Sequence, residues 1–118
     1  MNISIDRLES LGFDRYRISE LVELFDSEKE VLNQIGEMYT DSSMVVPEIL
    51  TCIEQSDFQT AMQKLHYLKG GALGIGAFAI AQAASVLEDR LRESNQFADE
   101  LAKFKITWDV LSQEFMQK

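Results

Sequence analysis

Apolar residues recur at intervals of three and four along nearly the whole chain, and no segment alternates between apolar and polar residues with a period of two. The first spacing places apolar side chains on one face of an α-helix, whereas the second would be typical of a half-buried strand. The sequence therefore predicts an all-α fold. Its main stripes, joined by short connections, indicate an antiparallel four-helix bundle with an additional short N-terminal helical region.

Two short stripes precede the bundle and are separated by a turn signal at residues 12–14. They comprise Ile5, Leu8 and Leu11, then Ile18, Leu21, Val22 and Phe25. We expect residues 1–25 to form a helical cap or extension at one end of the bundle, and residues 26–116 to form the bundle. Since about 100–150 residues is the commonest domain size, the chain predicts a single domain over residues 1–118.

The longest helix is predicted to follow the N-terminal region. Asp26 or Ser27 can cap its first turn, which also carries acidic residues that the helix dipole favours. Pro47 lies inside the apolar stripe of this helix. Because proline lacks an N–H and its ring clashes with the preceding turn, we expect a kink or a break between residues 41 and 47.

The remaining bundle helices are predicted over residues 58–73, 77–92 and 97–116, with a bend at residues 74–76. His66, the only histidine of the chain, lies in the first of them. On a helical wheel at about 100° per residue, it points roughly 120° away from the mean direction of that helix's apolar residues. We therefore expect its side chain to be exposed.

His66 is followed within about one helical turn by Lys69 and Gly70. A neutral imidazole is a nitrogen nucleophile, and the long stem of Lys69 could bring an ammonium towards a phosphoryl group bound there. Glycine inside a helix lowers stability by about 1 kcal/mol relative to alanine, so Gly70 indicates a role other than helix formation. On the same face as His66, it would leave room for a tetrahedral group where a side chain would crowd the ring. Such a site could carry a phosphoryl group, although a helical histidine followed by a lysine is, on its own, usually a solvated surface pair.

The residues around this histidine form a longer pattern. Residues 66–70 read H-x-L-K-G, and they are followed by GA at 71–72, IGA at 75–77 and ASVLE at 84–88. The pattern resembles the histidine-containing phosphotransfer (HPt) domains of multistep two-component phosphorelays. The likeness extends over roughly residues 25–115, and the preceding residues match poorly.

The resemblance implies a carrier without autonomous kinase or phosphatase activity. His66 would accept a phosphoryl group from the aspartate of a receiver domain, or from a hybrid sensor kinase, and pass it to a response regulator. In that family the receiver supplies the aspartate and the Mg²⁺, so no cofactor of the chain's own is expected.

The resemblance also implies a role for each residue of the site. His66 would be the phosphoacceptor through its outer ring nitrogen, with Lys69 stabilising the phosphoryl charge and Gly70 providing steric access. Many members have a glutamine or another polar residue at the position of Glu88. A carboxylate accepting from the inner ring nitrogen would orient the imidazole and fix its tautomer. Its negative charge beside a phosphoryl group is a departure from the family pattern.

A receiver must reach His66, so residues that share its face or an adjoining ridge are candidate contacts. On the same helix these are Met62, Gln63 and Tyr67, and on neighbouring helices Val45, Glu88 or Arg92. The aromatic ring of Tyr67 is either a hot spot for a partner or an ordinary surface ring, and both interpretations stay open.

Charge and hydropathy exclude other classes of partner. The net charge is −9, with 11 basic against 20 acidic residues, which argues against nucleic-acid binding. Residues 70–87 carry no formal charge, but they are mostly glycine and alanine, and the large apolar residues recur at helical spacing past the end of the segment. We therefore expect no membrane span. No basic segment followed by an apolar run opens the chain, so a cytoplasmic protein is expected.

Three alternatives to phosphotransfer fit parts of the sequence. A receiver-binding scaffold or inhibitor could use the same bundle without carrying phosphate, but it would not need the uncrowded Gly70. A histidine-kinase dimerisation domain predicts a two-helix hairpin, whereas this chain has enough helices to close its own core as a monomer. Residues 74–79 fit the dinucleotide fingerprint G-x-G-x-x-A, but no strand precedes them.

Overall fold

The computed structural model describes residues 4–115, and six α-helices follow one another within that range. They are α1 (Ile5–Ser10), α2 (Arg15–Phe25), α3 (Glu28–Glu54), α4 (Phe58–Gly74), α5 (Phe78–Glu93) and α6 (Ala98–Phe115). The described residues contain no strand, so the all-α prediction is confirmed. Helices α3 to α6 form the four-helix bundle, in which short connections make consecutive helices antiparallel neighbours. Met116, the predicted end of the last helix, lies outside the described residues.

Polar caps determine where the bundle helices begin. Ser27 Oγ accepts a hydrogen bond from the N–H of Glu30 at 3.1 Å, and an Asp57 carboxylate oxygen accepts one from the N–H of Thr60 at 3.3 Å. Of the two predicted caps of α3, Ser27 takes this role. Asp26 instead ends α2 in the left-handed conformation, with φ of 52°.

Helix α3 continues through Pro47, so the predicted break between residues 41 and 47 does not occur. Pro47 is exposed, whereas Val46 and Ile49 face the core. The carbonyl that loses its helical donor is that of Ser43, which is also exposed. Water can take the place of the missing N–H on this side, so the helix can continue past Pro47.

The core runs between all four bundle helices, and α4 and α5 each contribute buried alanines to it. Ala61, Ala72, Ala81 and Ala84 are each at most 2% exposed. Their small side chains let the two helix axes approach closely, which brings the middle of α5 beside the His66 face of α4. On α6, Phe104 and Leu111 are buried, whereas Leu101, Trp108 and Phe115, which continue the same apolar stripe, are partly buried.

The two N-terminal helices pack against the connection between α4 and α5. The Arg17 guanidinium donates from Nε and Nη2 to the carbonyl of Gly74 at 3.1 and 3.0 Å. The N–H of Asp14 donates to the carbonyl of Gly76 at 2.7 Å. Gly76 has a φ of 77°, so it makes the predicted bend, whereas Gly74 still belongs to α4. Leu8 of α1 is fully buried, and the N-terminal residues thereby extend the core of the bundle.

Within residues 4–115, no helix is both long and apolar enough to cross a membrane. The uncharged segment over residues 70–87 is divided between α4 and α5 by the turn at residues 75–77.

Candidate functional site

His66 lies in the middle of α4, and its side chain is 69% exposed, as predicted. Its neighbours Leu65 and Leu68 are at most 3% exposed and fix the rotation of the helix about its own axis. The imidazole is thus presented to solvent from a rigid element and not from a loop. A side chain in this position can meet a group carried by another protein.

The inner ring nitrogen of His66 faces a carboxylate on α5. His66 Nδ1 lies 3.7 Å from Glu88 Oε2, and the Glu88 side chain is only 10% exposed. This distance is longer than a hydrogen bond, but hydrogen bonds at reacting groups are often long before the partner binds. In the described part of the chain, Glu88 is the acidic residue that forms a pair with His66, and Nδ1 is the ring nitrogen in that pair.

Glu88 has a second partner, Arg92, one turn further along α5. Arg92 Nη2 donates to Glu88 Oε2 at 3.0 Å, and Nη1 donates to Asp89 Oδ1 at 3.1 Å. The same carboxylate oxygen of Glu88 therefore lies between an imidazole and a guanidinium. The Arg92 side chain is 57% exposed, so the pair extends from the helix interface to the surface.

Lys69 and Gly70 leave the surface beside the imidazole open. Lys69 is half-buried and takes part in none of the ion pairs formed among residues 4–115, in contrast to Lys64, which pairs with Glu48 at 3.0 Å. A Cβ built on Gly70 has no heavy atom of a neighbouring side chain within 4 Å, the His66 ring included. A methyl group alone would therefore not crowd the ring, contrary to the sequence-based argument, and the open space faces an incoming group.

A family model described as "Hpt domain" matches residues 18–114. The chain belongs to the Hpt domain family. Neither a search of curated proteins nor a search of solved structures finds a significant match. Hpt domains are phosphotransfer carriers of phosphorelays that interact with receiver domains of response regulators and of hybrid kinases; in general they are not kinases or phosphatases. The match begins inside α2, earlier than the resemblance in the sequence indicated.

The predicted docking contacts of this Hpt domain differ in how exposed their side chains are. On α4, Gln63 is exposed, Tyr67 is 67% exposed and Met62 is half-buried. Glu88 is 7% exposed, which leaves little of its surface for a docking contact, and its carboxylate lies beside the His66 ring.

Tyr67 borders a groove of about 260 Å³ between α3 and α4. Glu37 and Asp41 contribute acidic side chains to its lining, and Val45 contributes an apolar one. Met44, which precedes Val45 on α3, is 68% exposed. The candidate docking surface therefore has apolar side chains at Met44, Val45 and Tyr67 and acidic ones nearer the N-terminus of α3.

The pairing of Arg92 with Glu88 was missed from the sequence, where Arg92 was considered only as a docking contact. The signal was present, since Glu88 precedes Arg92 by four residues on a predicted helix, which is a favourable spacing and order for an ion pair. The burial of Glu88, however, could not be predicted from the sequence, because it depends on how closely α4 approaches α5. Among residues 4–115, no group of three or more histidine, cysteine or acidic side chains could hold a metal ion.

Proposed function

We propose that this Hpt domain is a cytoplasmic, monomeric phosphorelay carrier in which His66 is the phosphoacceptor. His66 accepts a phosphoryl group from a receiver-domain aspartate or a hybrid sensor kinase, and it transfers that group to a response regulator. The observation that supports this proposal is the position of the His66 ring. Its Nδ1 faces the buried Glu88 at 3.7 Å, and the ring as a whole is exposed on a rigid helix.

The transfer is a displacement at phosphorus. The Nε2 lone pair attacks the phosphorus atom of the receiver's aspartyl phosphate, and the bond between phosphorus and the aspartate oxygen breaks. The aspartate leaves as a carboxylate with the bonding electron pair, and the imidazole becomes N-phosphorylated. Transfer to the next receiver is the same reaction in reverse, with a new aspartate oxygen as the nucleophile.

The neighbouring residues assist by charge and by space. In this proposal the ammonium of Lys69 approaches the phosphoryl oxygens, which it can do because no carboxylate in the described range binds it. Gly70 keeps the approach to the ring open. The chain has no cofactor of its own, and Mg²⁺ bound by the receiver supplies the remaining charge stabilisation.

The test is transfer from a phosphorylated receiver in the presence of Mg²⁺, with the protein as wild type, His66→Gln and Gln82→Ala. Gln82 is exposed and lines the groove between α5 and α6, so its variant controls for handling and folding. We expect acid-labile, base-stable label on the wild type and on Gln82→Ala, and none on His66→Gln. If receivers bind the wild type and leave no label, the chain is a scaffold or inhibitor and not a carrier.

A further inference from the structure

We infer that Glu88 and Arg92 act together as positioning residues for His66, with Arg92 neutralising the carboxylate that orients the ring. This inference rests on the proposed phosphotransfer through His66. It assigns Arg92 a function at the phosphoacceptor and explains how a carboxylate can stand beside a phosphoryl group. The pair would serve in place of a neutral polar side chain.

The first step of the argument is the burial of Glu88. In the described part of the chain, Glu88 and Ser42 are the buried polar residues, and Glu88 is the charged one of the two. A carboxylate removed from water to this extent is unfavourable unless it is paired and hydrogen-bonded. Arg92 provides that partner at 3.0 Å, and Lys69 lies in no ion pair with Glu88.

The second step is that both interactions converge on one oxygen atom. Oε2 of Glu88 accepts from Arg92 Nη2 and also lies 3.7 Å from His66 Nδ1. A small rotation of the imidazole would close the second distance to a hydrogen bond. The proton is then kept on Nδ1, and the lone pair is kept on Nε2, the ring nitrogen that is not paired with Glu88.

The third step concerns charge during transfer. When Nε2 forms its bond to phosphorus with Nδ1 still protonated, the ring acquires a positive charge, and the aspartate of the receiver departs as an anion. Glu88 stabilises the positive ring by accepting from Nδ1–H. An unpaired carboxylate would also repel the phosphoryl oxygens, and the guanidinium of Arg92 cancels that repulsion.

An ordinary helix-surface ion pair is the competing explanation. Pairs at this spacing contribute little to stability when they are exposed, and Arg92 also binds Asp89 on its open side. A purely structural pair would change stability, but the folded single and double variants would transfer at the same maximal rate. A charge-neutralising pair makes the opposite prediction, because removing both charges leaves a neutral amide that can still accept from Nδ1–H.

The experiment compares Arg92→Gln, Glu88→Gln, the double variant Glu88→Gln/Arg92→Gln and Arg92→Lys. Single-turnover transfer from a phosphorylated receiver is measured over a range of receiver concentrations up to saturation. A lost docking contact then raises the half-saturating concentration and leaves the maximal rate unchanged. We expect Arg92→Gln to lower the maximal rate about tenfold and the double variant to return to within about threefold of wild type. Arg92→Lys, which keeps the charge, should retain most of the rate.

The second readout is the ¹⁵N NMR spectrum of the imidazole, which is free of overlap because the chain has one histidine. We expect the Nδ1–H tautomer in the wild type and in the double variant, and a shift towards the Nε2–H tautomer in Glu88→Ala. The inference is overturned if the double variant is as slow as Arg92→Gln, or if the tautomer is the same in every variant. If the wild type itself takes no label, the proposed function fails instead, and the two failures are thereby distinguished.

Discussion

Two arginines at the α4–α5 hairpin have different kinds of partner. Arg17 donates two hydrogen bonds to the carbonyl of Gly74, at 3.1 and 3.0 Å, and so joins α2 to the end of α4. Arg92 donates to carboxylates, one of which faces His66. The guanidinium of Arg17 binds backbone and connects helices. The guanidinium of Arg92 determines the charge beside the candidate phosphoacceptor.

The surroundings of the two arginines differ in how tightly they are packed. At the N-terminal junction, α1 contributes the buried side chain of Leu8, and the connection to α2 contributes that of Phe13. The backbone of residues 12–14 forms hydrogen bonds with the backbone of residues 76 and 79. Around His66 the surface is open, and substitutions there remove little packing. We therefore expect changes at the N-terminal junction to lower the free energy of unfolding without altering the transfer rate. Changes around His66 should lower the transfer rate and leave the free energy of unfolding nearly unaltered.

The largest expected effect is that of Gly12→Ala at the N-terminal junction. Gly12 has a φ of 89°, and an added Cβ would collide with the Cβ of Ala79, whose N–H donates to the Gly12 carbonyl at 3.0 Å. Strain and overpacking together should lower the free energy of unfolding by about 2–3 kcal/mol. Chemical denaturation measures this change, and transfer assayed well below the melting temperature should be unaltered.

Gly71→Ala is the matched control for this substitution. Gly71 lies in α4 with an ordinary helical φ, and a Cβ there meets no atom within 4 Å. The same chemical change should therefore leave stability equal or raise it by up to about 1 kcal/mol. Equal losses in the two variants would show that the close approach between Gly12 and Ala79 does not determine stability.

Lys69→Gln tests the surroundings of His66. Removing the ammonium should slow transfer from a phosphorylated receiver about tenfold, because one unit of charge near the phosphoryl oxygens is lost in the transition state. The melting temperature should stay within about 2 °C of wild type, since Lys69 is in no ion pair among residues 4–115. Lys105→Gln, an exposed lysine on α6, is the control for general charge. An equal loss in both variants would mean that Lys69 acts only through the net charge of the protein.

Much of the fold and the exposure of His66 could be predicted from the sequence, because both depend on local spacing. Apolar periodicity placed the bundle helices, and the direction of His66 on the wheel followed from the same count. Pro47 shows where a local rule fails. Its effect depended on which side of α3 it would face, and that is determined by tertiary packing.

The arrangement of charges around the site was harder to predict for the same reason. The family pattern suggests an orienting role for Glu88, but the burial of Glu88 depends on how α4 and α5 pack against each other. The position of Arg17 on the Gly74 carbonyl joins residues far apart in the chain, and no spacing rule indicates it. Local patterns thus predict which residues belong to the candidate site, whereas the pairing of their charges depends on how the helices pack.

The smallest expected effect separates stability from transfer at a single position, Gly70. A methyl group there meets open space, so Gly70→Ala should raise the free energy of unfolding by about 0.5–1 kcal/mol through helix propensity. The same methyl stands on the face by which a phosphoryl group and a receiver would reach His66, and transfer should slow about threefold. Gly74→Ala, at an equally open position at the end of α4, should leave the transfer rate unchanged. If Gly70→Ala transfers at the wild-type rate, a methyl group is accommodated in the complex, and the steric role of Gly70 is limited to excluding longer side chains.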